Sequence, residues 1–233
     1  MDSRPETQQP VPDEAHLCGW QSSFSAFYHA HSESIVDRLR LFVRDAGQEQ
    51  SDAWRVHVPA IQTECREMAA ADQAADDYSV ILEYQLPYDF RRPDLIVLEQ
   101  AAVVVVEMKG RQGIGRAALD QVLAYARDLR AYHEDCQTRA VVPVLVSAEA
   151  SSPPSLRDSV WVCHPTDADS LMSSIARQHP GPALVRDEFL REDAYVPLPS
   201  IVQAARQLFE TKDCRSFAVL GRRLSPRSPI SQK

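Results

Sequence analysis

The sequence predicts an α/β fold: a central mixed β-sheet flanked by helices, with a helical extension on its N-terminal side. Three observations carry this. Apolar residues between Ser22 and Ala70 recur at helical intervals. From Tyr78 the period shortens to that of strands and culminates in Val103–Val106. A helical face over 117–133 then leads into a short apolar run, Val141–Val146. A strand, a helix and a buried strand in that order form a parallel crossover, expected to be right-handed.

Met1–His16 is rich in Pro, Gln, Glu and Asp and reads as a disordered tail. Phe24, Phe27, Ile35, Leu39, Phe42 and Val43 predict one or two helices over 22–43, ended near Gly47. Trp54, Val58, Ile61 and Cys65 predict another over 51–70, with Pro59 as a point of bending. An acidic, alanine-rich segment, 69–77, links this lobe to the strands. Strands are expected at 78–86, carrying Glu83, and at 93–98 and 102–108 around a turn near Gln100. A glycine-containing loop follows at 111–116. Leu119, Val122, Leu123, Ala126 and Leu129 give the helix over 117–133 one apolar face, and His133 reads as a helix-end residue near the dipole. Strands at 141–146 and 160–162, a helix at 168–177 and a last amphipathic helix at 200–209 complete the domain, which spans 17–210. Beyond it, 211–233 is a basic tail rich in serine and proline, with Arg215, Arg222, Arg223, Arg227 and Lys233.

The residues around the central valines carry the chemistry. A hairpin with Gln100 and Ala101 at its tip sets Asp94 opposite Glu107, because paired positions keep a constant sum. Side chains at paired antiparallel positions share a face, their β-carbons roughly 5 Å apart. Alternation adds Lys109 to that face and turns Met108 away. Two carboxylates so close repel unless a cation lies between them. A hard divalent ion such as Mg2+, or Mn2+, takes oxygen ligands and can activate water against a phosphoryl group. Lys109 could stabilise the developing negative charge. Glu83 could add a ligand or act as a base through water. A Glu-x-Lys triplet alone is a common surface ion pair; its place after four valines, with Pro93-Asp94 at hairpin distance, separates it from that reading.

Composition is neutral on this point. The formal charge of −8 does not advertise a polyanion binder, but acidic metal sites also lower the total. The longest apolar run, Ala101–Val106, is far short of the roughly 20 residues of a spanning helix. No apolar signal-peptide centre is seen, so no membrane association is expected and the cytoplasm is the default location. The five cysteines, at 18, 65, 136, 163 and 214, are scattered and never form C-x-x-C; they read as reduced fillers.

Pro93-Asp94, twelve residues, then Glu107-Met108-Lys109 resembles the signature of the PD-(D/E)xK nuclease superfamily. Gln121 and Tyr125, one helical turn apart, resemble the Q-x-x-x-Y feature of its RecB-like branches, and Glu83 falls where many members carry an upstream acid. A narrower resemblance, over LEYQLPYDFRRPDLIVLE, DQVLAYARDLRAYH and YVPLPSIVQAARQLF, is to the N-terminal region of DUF2075-type proteins. There a nuclease-like domain precedes a Schlafen-like helicase. This chain contains no G-x-x-x-x-G-K-[ST] phosphate loop, so it is expected to be a stand-alone version or a fragment, and helicase activity does not carry over. The resemblance implies a restriction-endonuclease-like core, with Asp94, Glu107 and the Met108 carbonyl as metal ligands and Lys109 as the catalytic lysine. It makes Glu83 an accessory acid, and Gln121 and Tyr125 supports for the site or contacts to the phosphate backbone.

Arg91, Arg92, Arg111 and Arg116 bracket these residues and suit phosphate contacts, Arg92 having Asp89 or Glu99 as alternative partners. The implied activity is metal-dependent hydrolysis of phosphodiester bonds, DNA being the first expected substrate, with a homodimer as one way to cut both strands. The competing reading is a nucleic-acid-binding or partner-docking module of the same fold without useful catalysis. A dinucleotide-binding enzyme is disfavoured, because Gly110, Gly113 and Gly115 do not form the fingerprint.

Overall fold

In the computed structural model, residues 17–87, 91–110 and 114–196 are described. The sheet starts earlier than expected. Trp20–Ser23 forms β1, and Ser23 then caps the short helix α1, Phe24–His29, its hydroxyl accepting the Ala26 amide at 3.2 Å. Helices α2 (Ser32–Phe42) and α3 (Gln48–Ala71) follow, and α3 runs through Pro59 without ending. A 3-10 turn, Gln73–Asp77, occupies most of the acidic linker.

Strands β2 (Ser79–Leu82), β3 (Leu95–Glu99) and β4 (Ala102–Lys109) form an antiparallel meander. Helix α4 (Arg116–Tyr132) then crosses to β5 (Ala140–Ser147), which pairs parallel with β4. An unforeseen strand, β6 (Ser155–Arg157), turns back through Asp158 and Ser159 into β7 (Val160–Cys163). Both turn residues have positive φ, as a two-residue hairpin matched to strand twist requires. Helices α5 (Ala168–Gln178) and α6 (Arg186–Phe189) follow, then a 3-10 turn, Glu192–Ala194. The seven-stranded mixed sheet has the order β1-β2-β3-β4-β5-β7-β6. Among the described residues no helix is long and apolar enough to cross a membrane. The expected tails, 1–16 and 211–233, and the helix at 200–209 lie outside the described residues.

Strand alternation divides the interior into two cores. Val104 and Val106 face α1, α2, α3 and α5, together with Leu95 and Val97. Val103 and Val105 face α4 and α6, together with Ile96 and Leu98. All four valines are fully buried, which accounts for a run without alternation in polarity.

The hairpin register is the one the sequence predicts: Leu95 pairs with Val106 and Glu99 with Ala102, leaving Gln100 and Ala101 as the turn. The strand expected over 78–86 is shorter. It ends at Leu82, because Glu83 adopts φ +52, a left-handed conformation that costs a non-glycine residue about 1–2 kcal/mol. Glu83 therefore lies just past the strand and escapes its alternation. His133 also differs from expectation. It caps α4 but is buried, its ring stacked on Phe189 with centroids 4.1 Å apart. Burial lowers its pKa, so packing and not a cationic interaction with the dipole explains it.

The described cysteines, Cys18, Cys65, Cys136 and Cys163, are buried and free. Burial pushes the thiols of Cys18, Cys136 and Cys163 up to about 12, as suits inert packing residues.

Candidate metal centre

One residue beyond the Leu95–Val106 pair, Asp94 and Glu107 come opposite each other at the end of β3 and β4. The Asp94 Oδ2 atom accepts the Met108 amide at 2.7 Å, which ties the carboxylate to the β4 backbone. Glu107 is only 3% exposed. Its Oε1 accepts from Lys109 Nζ at 2.8 Å, while its Oε2 is buried without a hydrogen-bond partner. The α4 helix reaches this face through Gln121. Lys109 Nζ lies 3.4 Å from Gln121 Oε1, and Gln121 Nε2 donates to the Tyr125 hydroxyl at 3.0 Å. Glu107, Lys109, Gln121 and Tyr125 thus form one connected chain of polar groups.

The electrostatics of the pair follow from burial and crowding. Burial, then the neighbouring charges of Glu107 and Glu83, hold Asp94 well above the usual carboxylate range. Burial also raises Glu107, partly opposed by Lys109. Two unit charges 5 Å apart repel by roughly 3 kcal/mol at an effective dielectric constant of about 20. Full ionisation is therefore costly without a further cation. A donor set of two crowded carboxylates, one with an unpartnered buried oxygen, fits a hard divalent ion.

The remaining candidates take up different positions. Glu83 is 3% exposed, its Oε1 accepting from Trp54 Nε1 at 2.8 Å and its Oε2 from Arg92 Nε at 3.1 Å. Arg92 thus pairs with Glu83, whereas Glu99 is fully buried with neither oxygen partnered. Arg91 pairs with Asp128 at 2.6 Å and lies over the Tyr125 ring. Tyr125 is 3% exposed, so it buttresses Gln121 and offers little surface to a ligand; burial raises its hydroxyl to about 12. Arg116, at the start of α4, is exposed and pairs with Asp120 and Asp158. Arg111 lies outside the described residues.

Helix α3 contributes groups that the sequence reading assigned to packing or passed over. Gln50, Trp54 and His57, with Glu83, Asp94 and Met108, line a cavity of about 90 Å3. The helical spacing of Trp54 predicts a core residue. Its neighbours Gln50 and His57, at i−4 and i+3, are the signal that this helix face is polar in part. Glu83, Asp94 and Glu107 do not converge as a trio. Among the described residues, the group of three ligand-bearing side chains within 4.8 Å of one another is Glu64, Glu67 and Asp169. That cluster lies between α3 and α5, where the Asp169 amide already donates to Glu64. Comparison with family models, with curated proteins and with solved structures gives no match to this chain.

Proposed function

We propose that the protein is a divalent-metal-dependent nuclease of the PD-(D/E)xK type, hydrolysing phosphodiester bonds in nucleic acid, with DNA as the first substrate to test. On this reading β2–β3–β4–α4–β5 is a restriction-endonuclease-like core, and the nearer likeness is to the nuclease-like region of DUF2075-type proteins. The observation that carries the proposal is the buried Glu107 carboxylate, with one oxygen unpartnered, opposite Asp94 and bonded to Lys109.

Asp94, Glu107 and the Met108 carbonyl would hold Mg2+ or Mn2+, which supplies a Lewis acid for the phosphoryl oxygens and an acidified water. Lys109 is held by Glu107 and Gln121, so its ammonium stands at a defined place beside the carboxylates. There it can donate to a non-bridging phosphate oxygen as negative charge develops. Gln121 is in turn oriented by Tyr125, which limits the positions open to the amine. Arg116 has its side chain 74% exposed and is the most accessible of the described candidate arginines for phosphate contact. A homodimer would provide two such sites for a duplex.

The test is a cleavage panel of single- and double-stranded DNA and RNA with Mg2+, Mn2+ or EDTA. Cleavage should need the metal, and Glu107→Ala and Lys109→Ala should each lower kcat at least ~100-fold. Activity that persists in EDTA, or that survives both substitutions, defeats the proposal. Two observations favour a second reading, a binding module without catalysis: Glu107 already has Lys109 as counter-charge, and the three acids do not converge. Calorimetry showing no Mg2+ binding, together with DNA binding unchanged in Asp94→Ala, would favour that module.

A further inference from the structure

Resting on the metal-nuclease reading above, we infer that Glu83 is a positioning residue and not a metal ligand: it fastens Trp54 of α3 and Arg92 to the backbone of Asp94. Helix α3 thereby sets the geometry of the carboxylate pair. The two acids that face each other across the hairpin differ from Glu83 in how their oxygens are used. The Gln121 side chain approaches Glu107, yet one Glu107 oxygen is buried without a hydrogen-bond partner, whereas each Glu83 oxygen already accepts a directed donor, the Trp54 indole at 2.8 Å and the Arg92 guanidinium at 3.1 Å. The Gln50 side chain approaches it as well. An arginine on the carboxylate supplies the counter-charge that a cation would otherwise supply. The indole has one N–H, on a residue only 6% exposed, and that N–H is committed to Glu83.

The backbone completes the device. The Glu83 amide donates to the Asp94 carbonyl at 3.1 Å, one step beyond the last β2–β3 pair. Arg92 precedes Asp94 by two residues, and the Leu86 amide donates to the Arg91 carbonyl at 3.2 Å. Glu83 thus grips the approach to Asp94 at two points, through main chain and side chain. Its left-handed φ of +52 releases it from strand alternation and lets its side chain meet Trp54 on the α3 side. Helix α3 is on this account part of the catalytic scaffold.

The experiment follows the indole N–H of Trp54 and the amide of Met108, which donates to Asp94, by 1H–15N NMR of the full chain during a Mg2+ titration. Trp54→Phe assigns the indole signal among the three tryptophans. The Met108 amide is expected to move and the Trp54 indole to stay. An indole signal that moves at the same Mg2+ concentration as the Met108 amide overturns the inference and leaves the nuclease reading standing. If neither moves, no cation binds the pair, and both fall together. In the cleavage assay, Trp54→Phe keeps an aromatic ring, though a smaller one, and removes the donor. Its kcat should drop ~10-fold, with KM and the half-saturating Mg2+ concentration within ~2-fold of the native chain. An unchanged kcat, or a raised Mg2+ requirement, overturns the positioning role.

Discussion

Glu99 shows at the residue scale how one buried carboxyl can govern stability. It is fully buried at the end of β3 with no partner on either oxygen, and burial raises its pKa to about 8. The folded chain therefore binds a proton here that the unfolded chain releases near its ordinary value of 4.5. Stability contributed by this group is whole below about pH 4.5 and declines as pH rises through about 8. Urea unfolding at pH 5, 7 and 9 should show a loss of roughly 4 kcal/mol across that window. Glu99→Gln should remove most of the loss attributable to this position. The same physics acts at Asp94 and Glu107, where crowding adds to burial. Spacing disclosed that pair in the sequence. It could not disclose Glu99, whose place as the last residue of β3 resembles that of any charged residue entering a turn.

At the scale of elements, α3 is the clearest case of tertiary structure overriding local preference. A proline in a helix interior removes one hydrogen bond and crowds the preceding turn. Pro59 nevertheless sits within an unbroken helix whose buried face, Trp54, Val58, Ile61, Cys65 and Met68, packs on the sheet. Pro59 itself is exposed, so the Arg55 carbonyl it leaves free can meet water. Pro59→Ala should therefore raise stability by about 1–3 kcal/mol, read from thermal unfolding. The hairpin β3–β4 is the opposite case. Its two-residue turn and alternating strands are local, and its register was legible from residues 94–109 alone. The contact between Trp54 and Glu83 was not, because it joins residues 29 apart and depends on the positive φ of Glu83.

For the whole molecule, the two faces of the sheet make one structure of two cores, and the second core depends on a late segment. Phe189 of α6 is fully buried against His133 and Tyr84, and its carbonyl is 2.9 Å from His133 Nε2. Phe189→Ala should cost about 3–5 kcal/mol in denaturant unfolding. On the nuclease reading it should not change which metals support cleavage, because the ring partners of Phe189 are Tyr84 and His133 and not the carboxylate pair. Neither α6 nor the edge strands β1 and β6 were foreseen. Each is six residues or fewer, and each is specified by the partner it joins more than by its own period.

The sequence by itself determined the α/β class, the central meander and crossover, and the hairpin that sets Asp94 against Glu107 with Lys109 on the same face. These depend on period and turn length, which are properties of short stretches. Only the tertiary structure decided that Gln121 meets Lys109, that Tyr125 is buried behind it, that Arg92 belongs to Glu83, and that Trp54 reaches the same carboxylate. Those contacts join separate elements. Their formation depends on how helices pack across a twisted sheet and on a single left-handed residue at the end of β2, which no local pattern encodes.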